Sequence, residues 1–99
     1  MQISIQKTAE QTVLRLNGRF DYESRRDFDT AVRTALAETP GTIQINMMEV
    51  DYMDSSALGM LLVLRDKARV AGKKVALGET QGFVRKVLDV ANFHKLFTS

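Results

Sequence analysis

The chain has 99 residues, 44% of them hydrophobic, enough for one core and too few for two. It has no cysteine, which excludes disulfides, thiol catalysis and thiolate metal sites. The net charge of +2 is unevenly divided: residues 1–64 carry six Lys/Arg against nine Asp/Glu, net −3, and residues 65–99 carry eight against three, net +5.

The start, MQISIQK, lacks the basic and long apolar regions of a secretory signal, and no apolar run approaches the roughly 18 residues that a membrane span needs. The expectation is a cytoplasmic protein without a membrane partner, with residues 1–99 as a single domain. Ile3 and Ile5 alternate with polar neighbours, and Thr12–Asn17 is rich in β-formers, so two strands open the chain, the second ended by Gly18. From Ser24 onward, Phe28, Ala31, Val32, Ala35 and Leu36 recur at helical spacing, with Ser24 and Asp27 placed as a capping box and Pro40-Gly41 as the stop. Thr42–Met47 reads as a third strand, Ser55–Ala71 as a second helix closed by Gly72, and Lys73–Leu77 as a fourth strand. Phe83, Val84, Val87, Leu88 and Ala91 mark a third helix, capped by Thr80. The tail NFHKLFTS reads as one turn plus a last edge strand. The order predicts an α/β fold: a mixed sheet of four to five strands, parallel βαβ units with right-handed crossovers, an antiparallel opening edge and three to four helices.

In such sheets the functional crevice lies at the carboxyl ends of the strands. Here that handover is MEVDYMDSS, where acidic residues and two serines stand directly before an apolar run. At about 100° per residue, Ala57, Leu61, Leu64, Ala68 and Ala71 form the stripe to be buried, and Ser55 points away from it. Leu58, Gly59, Leu62 and Asp66 share the outward side. Two readings are open: a helix N-cap and nothing more, or a serine that is modified on a surface which another protein covers.

The residues argue against several other chemistries. A serine hydrolase needs a base held by a third group, yet the only histidine is His94, in a basic, aromatic tail, and there is no G-x-S-x-G elbow. No ligand set accompanies His94, so neither a metal site nor catalytic residues are expected. The six glycines form no phosphate-cradling loop, and no cofactor is expected. Arg65, Lys67, Arg69, Lys73 and Lys74 lack interleaved aromatics, so direct nucleic-acid binding is not expected either. Asp21 and Asp54 read as caps and surface residues, not as an acid/base pair.

The segment INMMEVDYMDSSALGMLL resembles the signature of the STAS-domain family, in particular its stand-alone bacterial anti-sigma factor antagonists: a strand, a Val-x-x-Met step, then Asp-Ser-Ser-Ala-Leu-Gly opening a helix. Gly18-Arg19-Phe20-Asp21, Gly72-Lys73-Lys74, and Val87-Leu88 followed by Phe93 and Leu96-Phe97 extend the resemblance over essentially the whole chain. The resemblance implies a STAS-like fold with Ser55 as a phosphorylation site. It implies that the unphosphorylated protein binds an anti-sigma factor that is also its serine kinase, thereby releasing a sigma factor, and that a metal-dependent serine/threonine phosphatase resets the switch. Asp54, Ser56, Asp21 and Gly18 map onto the family's partner-facing surface; Leu58, Gly59 and Leu62 join it from the helix geometry. The chain departs from the pattern at Asn46, where the family often has an acidic residue. The alternative function is a non-switching adaptor subunit of a signalling or transporter-associated assembly.

Overall fold

The computed structural model describes residues 1–38, 41–78 and 80–97. The Pro40 stop, the last two residues of the tail and the side chain of His94 lie outside the described set. Strands β1 (Gln2–Lys7) and β2 (Gln11–Phe20) form an antiparallel hairpin, Ile3 facing Leu16 and Ile5 facing Leu14. A 3-10 turn (Tyr22–Ser24) leads into α1 (Arg25–Glu38), then β3 (Thr42–Met53), α2 (Ser55–Val70), β4 (Lys74–Leu77), α3 (Gly82–Val90) and α4 (Phe93–Phe97). The sheet order is β1-β2-β3-β4, with β2, β3 and β4 parallel. Four strands, four helices and one antiparallel edge match the expected mixed architecture.

Two successive crossovers step in the same direction across neighbouring strands, so right-handedness puts α1 and α2 on one face, where they pack side by side. Their apolar stripes meet the sheet through Phe28, Ala31, Val32 and Ala35 on α1 and Ala57, Leu61, Leu64 and Ala68 on α2. Ala71, expected in the stripe, is exposed, because it is the C-cap and the helix has already turned out to solvent. On the opposite face, Gln2, Ser4 and Gln6 stay exposed beside Arg15, whose Nε donates to Gln6 Oε1 at 3.0 Å. A polar open face is what an antiparallel edge tolerates.

Five sequence expectations are corrected. β2 does not end at Gly18 but continues to Phe20, and β3 continues six residues past Met47. The cause is a pair of bulges: from Arg15↔Asn46 to Asn17↔Glu49 and from Gly18↔Val50 to Arg19↔Tyr52, β3 carries one extra residue each time. Buried side chains in β3 therefore fall at 43, 45, 47, 50 and 53. Alternation is replaced by every third residue, so the strand pattern stops being visible at Met47 while the strand itself goes on. Gly18 sits at the second bulge with φ +103°, a conformation other residues enter only with strain. The capping box lies three residues earlier than expected: Asp21 caps the 3-10 turn, reciprocated by Ser24, whereas Asp27 is inside the helix. The N-cap of α3 is Gln81, not Thr80, and its side chain donates to Met48 O at 3.0 Å instead of capping. The tail folds as α4, with no strand among the described residues.

Candidate functional site

The carboxyl ends of β2 and β3 converge where each hands over to a helix. Asp54 is the knot. Its backbone N–H donates to Phe20 O at 3.3 Å, tying the two strand ends together. One carboxylate oxygen accepts from Ala57 N at 3.0 Å, capping α2, and the other accepts from Tyr22 N at 3.3 Å, fastening the 3-10 turn. Both oxygens are thus engaged by backbone donors, as a capping carboxylate at a helix N-terminus should be.

This arrangement separates the two readings of the serines. The cap belongs to Asp54, so Ser55, the first residue of α2, is not needed for it. Ser55 is exposed, and its hydroxyl has no hydrogen-bond partner among the described residues. Ser56 is half-buried and faces the gap between α1 and α2. The N–H groups of Ser55 and Ser56 are the open donors of this helix end, and they favour an anion placed there.

Asp21 lies beside this knot, in the segment Asp54 fastens. Its carboxylate accepts from Glu23 N at 3.1 Å and pairs with Arg19 Nε at 3.3 Å, while Ser24 Oγ donates to Arg19 O at 2.9 Å. Arg19 in turn lies over the Tyr52 ring, 4.1 Å from its centroid, and Tyr52 stacks on Phe83 with centroids 5.8 Å apart. The Arg19–Tyr52–Phe83 ladder escaped sequence reasoning. Its signal is the cross-strand partnership of Arg19 with Tyr52, which exists only once both bulges are counted. Gly18 lies one residue from the ladder and has a backbone reason of its own to be glycine.

On the outward side of α2, Gly59 is exposed, and a Cβ built on it meets nothing within 4 Å. The domain has room for alanine there, which would favour the helix by about 0.5 to 1 kcal/mol. Nothing inside this fold accounts for the glycine. Leu58 and Leu62 are half-buried and packed against the core, on the flank that also carries Arg65, whose guanidinium reaches Leu96 O of α4. They form the edge of the outward surface, not its centre. The most exposed apolar side chains near the serines are Tyr22, 55% exposed, and Val63, 52% exposed, on the other flank. Asn46 lies on β3 before the first bulge, and its Oδ1 accepts from the bulged Met48 N at 3.1 Å. A carboxylate would accept that bond equally well, so the departure from the family pattern removes a charge and keeps the local structure.

Residues 3–98 match the family described as "Mlab, STAS domain", and the chain belongs to the STAS-domain family. A STAS-domain containing protein of Pseudomonas aeruginosa (strain UCBPP-PA14) is 38% identical over 88 residues, covering 89% of this chain and 86% of that protein. Among solved structures, an anti-sigma factor antagonist from Mycobacterium paratuberculosis superposes with a TM-score of 0.81 at 18% identity, over 97% of this chain and 81% of that one. The Bacillus cell fate determinant SpoIIAA in its phosphorylated form superposes with a TM-score of 0.74 at 22% identity, over 99% of this chain and 89% of that one. At these identities the two structures establish a shared fold. Among the described residues no helix is long and apolar enough to cross a membrane, and no group of three or more His, Asp or Glu is placed to hold a metal ion.

Proposed function

We propose that this protein is an anti-sigma factor antagonist that works by phosphorylation-controlled partner switching, with Ser55 as the modified residue. One observation carries the reading. The helix cap is supplied by Asp54, so the Ser55 hydroxyl is left exposed at a helix N-terminus, with no hydrogen bond among the described residues. A kinase can reach it without dismantling the fold. The outward surface of Ser55 and Gly59, edged by Leu58 and Leu62, is where the unphosphorylated form meets its partner, an anti-sigma factor that is also the serine kinase. Asp54 and Asp21 hold the backbone of that surface in place, and Ser56 and Gly18 belong with them to the partner-facing surface. A metal-dependent serine/threonine phosphatase returns the protein to its binding form. The chain shares its fold with SpoIIAA, a protein known in a phosphorylated form.

The switch is one of charge at an interface. A phosphoserine carries about −1.5 to −2 charges, and the helix end that receives it offers only about 0.3 to 1 kcal/mol. Asp54 opposes it: at about 6 Å and an effective dielectric near 20, the repulsion is about 3 kcal/mol per unit charge. For the full phosphate charge that is about 4 to 6 kcal/mol before screening, and because Ser55 is exposed, solvent and salt reduce it to a loss that leaves the domain folded. The partner surface, by contrast, has to bury that charge, at about 2 to 5 kcal/mol. Intact-mass measurement on protein isolated from its native cells tests the assignment. A discrete phosphate adduct, located to Ser55 by fragmentation, is expected. Protein that never carries the adduct under any growth condition is an adaptor and not a switch.

A further inference from the structure

Beside the serines, α1 and α2 leave a groove of about 580 Å³. Its floor is apolar, with Phe28 and Val32 from α1 and Met60 and Leu64 from α2. Tyr22 and Val63 stand at its sides, 55% and 52% exposed, and no element of the described chain covers them. Ser56 and Gly59 line its end nearest Ser55. From Ser56 to Lys67 the groove follows α2 for about 16 Å, or roughly three helical turns.

The rim is cationic. Arg25 and Arg26 border it on the Tyr22 side and Lys67 at the far end. The one carboxylate among the lining residues, Asp29, is already shared between Arg33 at 3.0 Å and Lys67 at 3.3 Å. Arg25 lies over the Tyr22 ring, 4.0 Å from its centroid, and Arg26 has no ion-pair partner among the described residues. Tyrosine and arginine are both enriched among the residues that anchor interfaces energetically.

We infer that this groove receives an amphipathic helix of the protein partner, about three turns long, apolar at i, i+3, i+4 and i+7 and acidic along its flanks. The occupant is a helix because the groove offers no strand edge and few polar atoms, so the incoming backbone has to satisfy its own hydrogen bonds. It is acidic because only Lys67 of the three rim cations has a carboxylate partner, Asp29, which leaves the charges of Arg25 and Arg26 without one among the described residues. The inference rests on the reading of the exposed side of α2 as a partner surface. It does not require phosphorylation of Ser55, so panning can fail where the intact-mass assignment succeeds, and the reverse.

The test is to pan a displayed library of random peptides, about 16 residues long to span the groove with spare ends, against the intact protein. The most enriched peptide is then titrated by fluorescence polarisation against wild type, Val63→Glu and Arg26→Glu. Both positions are exposed, and thermal melts confirm that the variants fold. The expected result is enrichment of acidic sequences with the i, i+3, i+4, i+7 apolar pattern. Their affinity falls about tenfold or more for each variant, and a Glu→Lys exchange in the peptide restores binding to Arg26→Glu. The inference is overturned by no enrichment, by basic winners, or by winners indifferent to both substitutions. Sedimentation showing a wild-type dimer that Val63→Glu dissolves would make the occupant a second copy of this chain, and would overturn it too.

Discussion

Replacing Asp54 isolates the claim on which the chemistry of Ser55 depends. In the structure one carboxylate oxygen caps α2 through Ala57 N and the other holds Tyr22 N. Asp54→Ala removes both. Loss of an N-cap costs about 1 kcal/mol, and loss of a second hydrogen bond, from the backbone N–H of exposed Tyr22, adds about 0.5 to 1.5 kcal/mol. The sum is about 2 kcal/mol, which in a domain of this size lowers the melting temperature by roughly 8 to 16 °C. Asp54→Asn keeps one acceptor, which can still cap Ala57, but turns an amide donor toward Tyr22 N, so about 1 kcal/mol should be lost. Ser55→Ala removes a hydroxyl that bonds nothing and should stay within about 0.5 kcal/mol of wild type. Urea denaturation of the three variants, with slopes compared to confirm a common unfolding transition, measures the series. Asp54→Ala within about 0.5 kcal/mol of wild type, or Ser55→Ala as damaging as Asp54→Ala, would refute the division of labour between cap and switch.

Three further outcomes follow from the same geometry. Leu61 is fully buried and Leu62 half-buried, so Leu61→Asp should unfold the domain, while Leu62→Asp should lose about 1 to 2 kcal/mol and remain folded; circular-dichroism melts separate the two. Gly59→Ala has open space and should stabilise the isolated domain by about 0.5 to 1 kcal/mol while weakening its complex, a combination read by melting and by titration against the partner. With the cognate kinase and labelled ATP, wild type and Ser56→Ala should be labelled and Ser55→Ala should not; label persisting in Ser55→Ala moves the site to Ser56.

The two long helices were legible because each keeps a single apolar period from end to end: Phe28, Ala31, Val32 and Ala35 in one, Ala57, Leu61, Leu64 and Ala68 in the other. The second half of β3 was not, because two bulges change its buried period from two to three between Met47 and Met53. The 3-10 turn shifted the first cap from Ser24 to Asp21, since a capping box read from sequence carries no mark of the turn type that follows it. Ser55, Asp54 and Gly59 could be placed from helical spacing alone. Tyr22, Met60 and Val63 could not, because a helix read in isolation does not say which flank its neighbour leaves uncovered. The same limit hid that Leu58 and Leu62, placed on the outward side from helical spacing, are half-buried and packed against the core.

The central claim is that negative charge at Ser55 abolishes partner binding without unfolding the domain, and titration calorimetry against the cognate anti-sigma factor tests it most directly. Phosphorylated protein should bind roughly 30- to several-thousand-fold more weakly than unphosphorylated protein, the equivalent of about 2 to 5 kcal/mol. Ser55→Glu, with a single charge, should fall between the two, and all three should melt as cooperatively folded domains. Undiminished affinity for both the phosphorylated protein and Ser55→Glu would contradict the account.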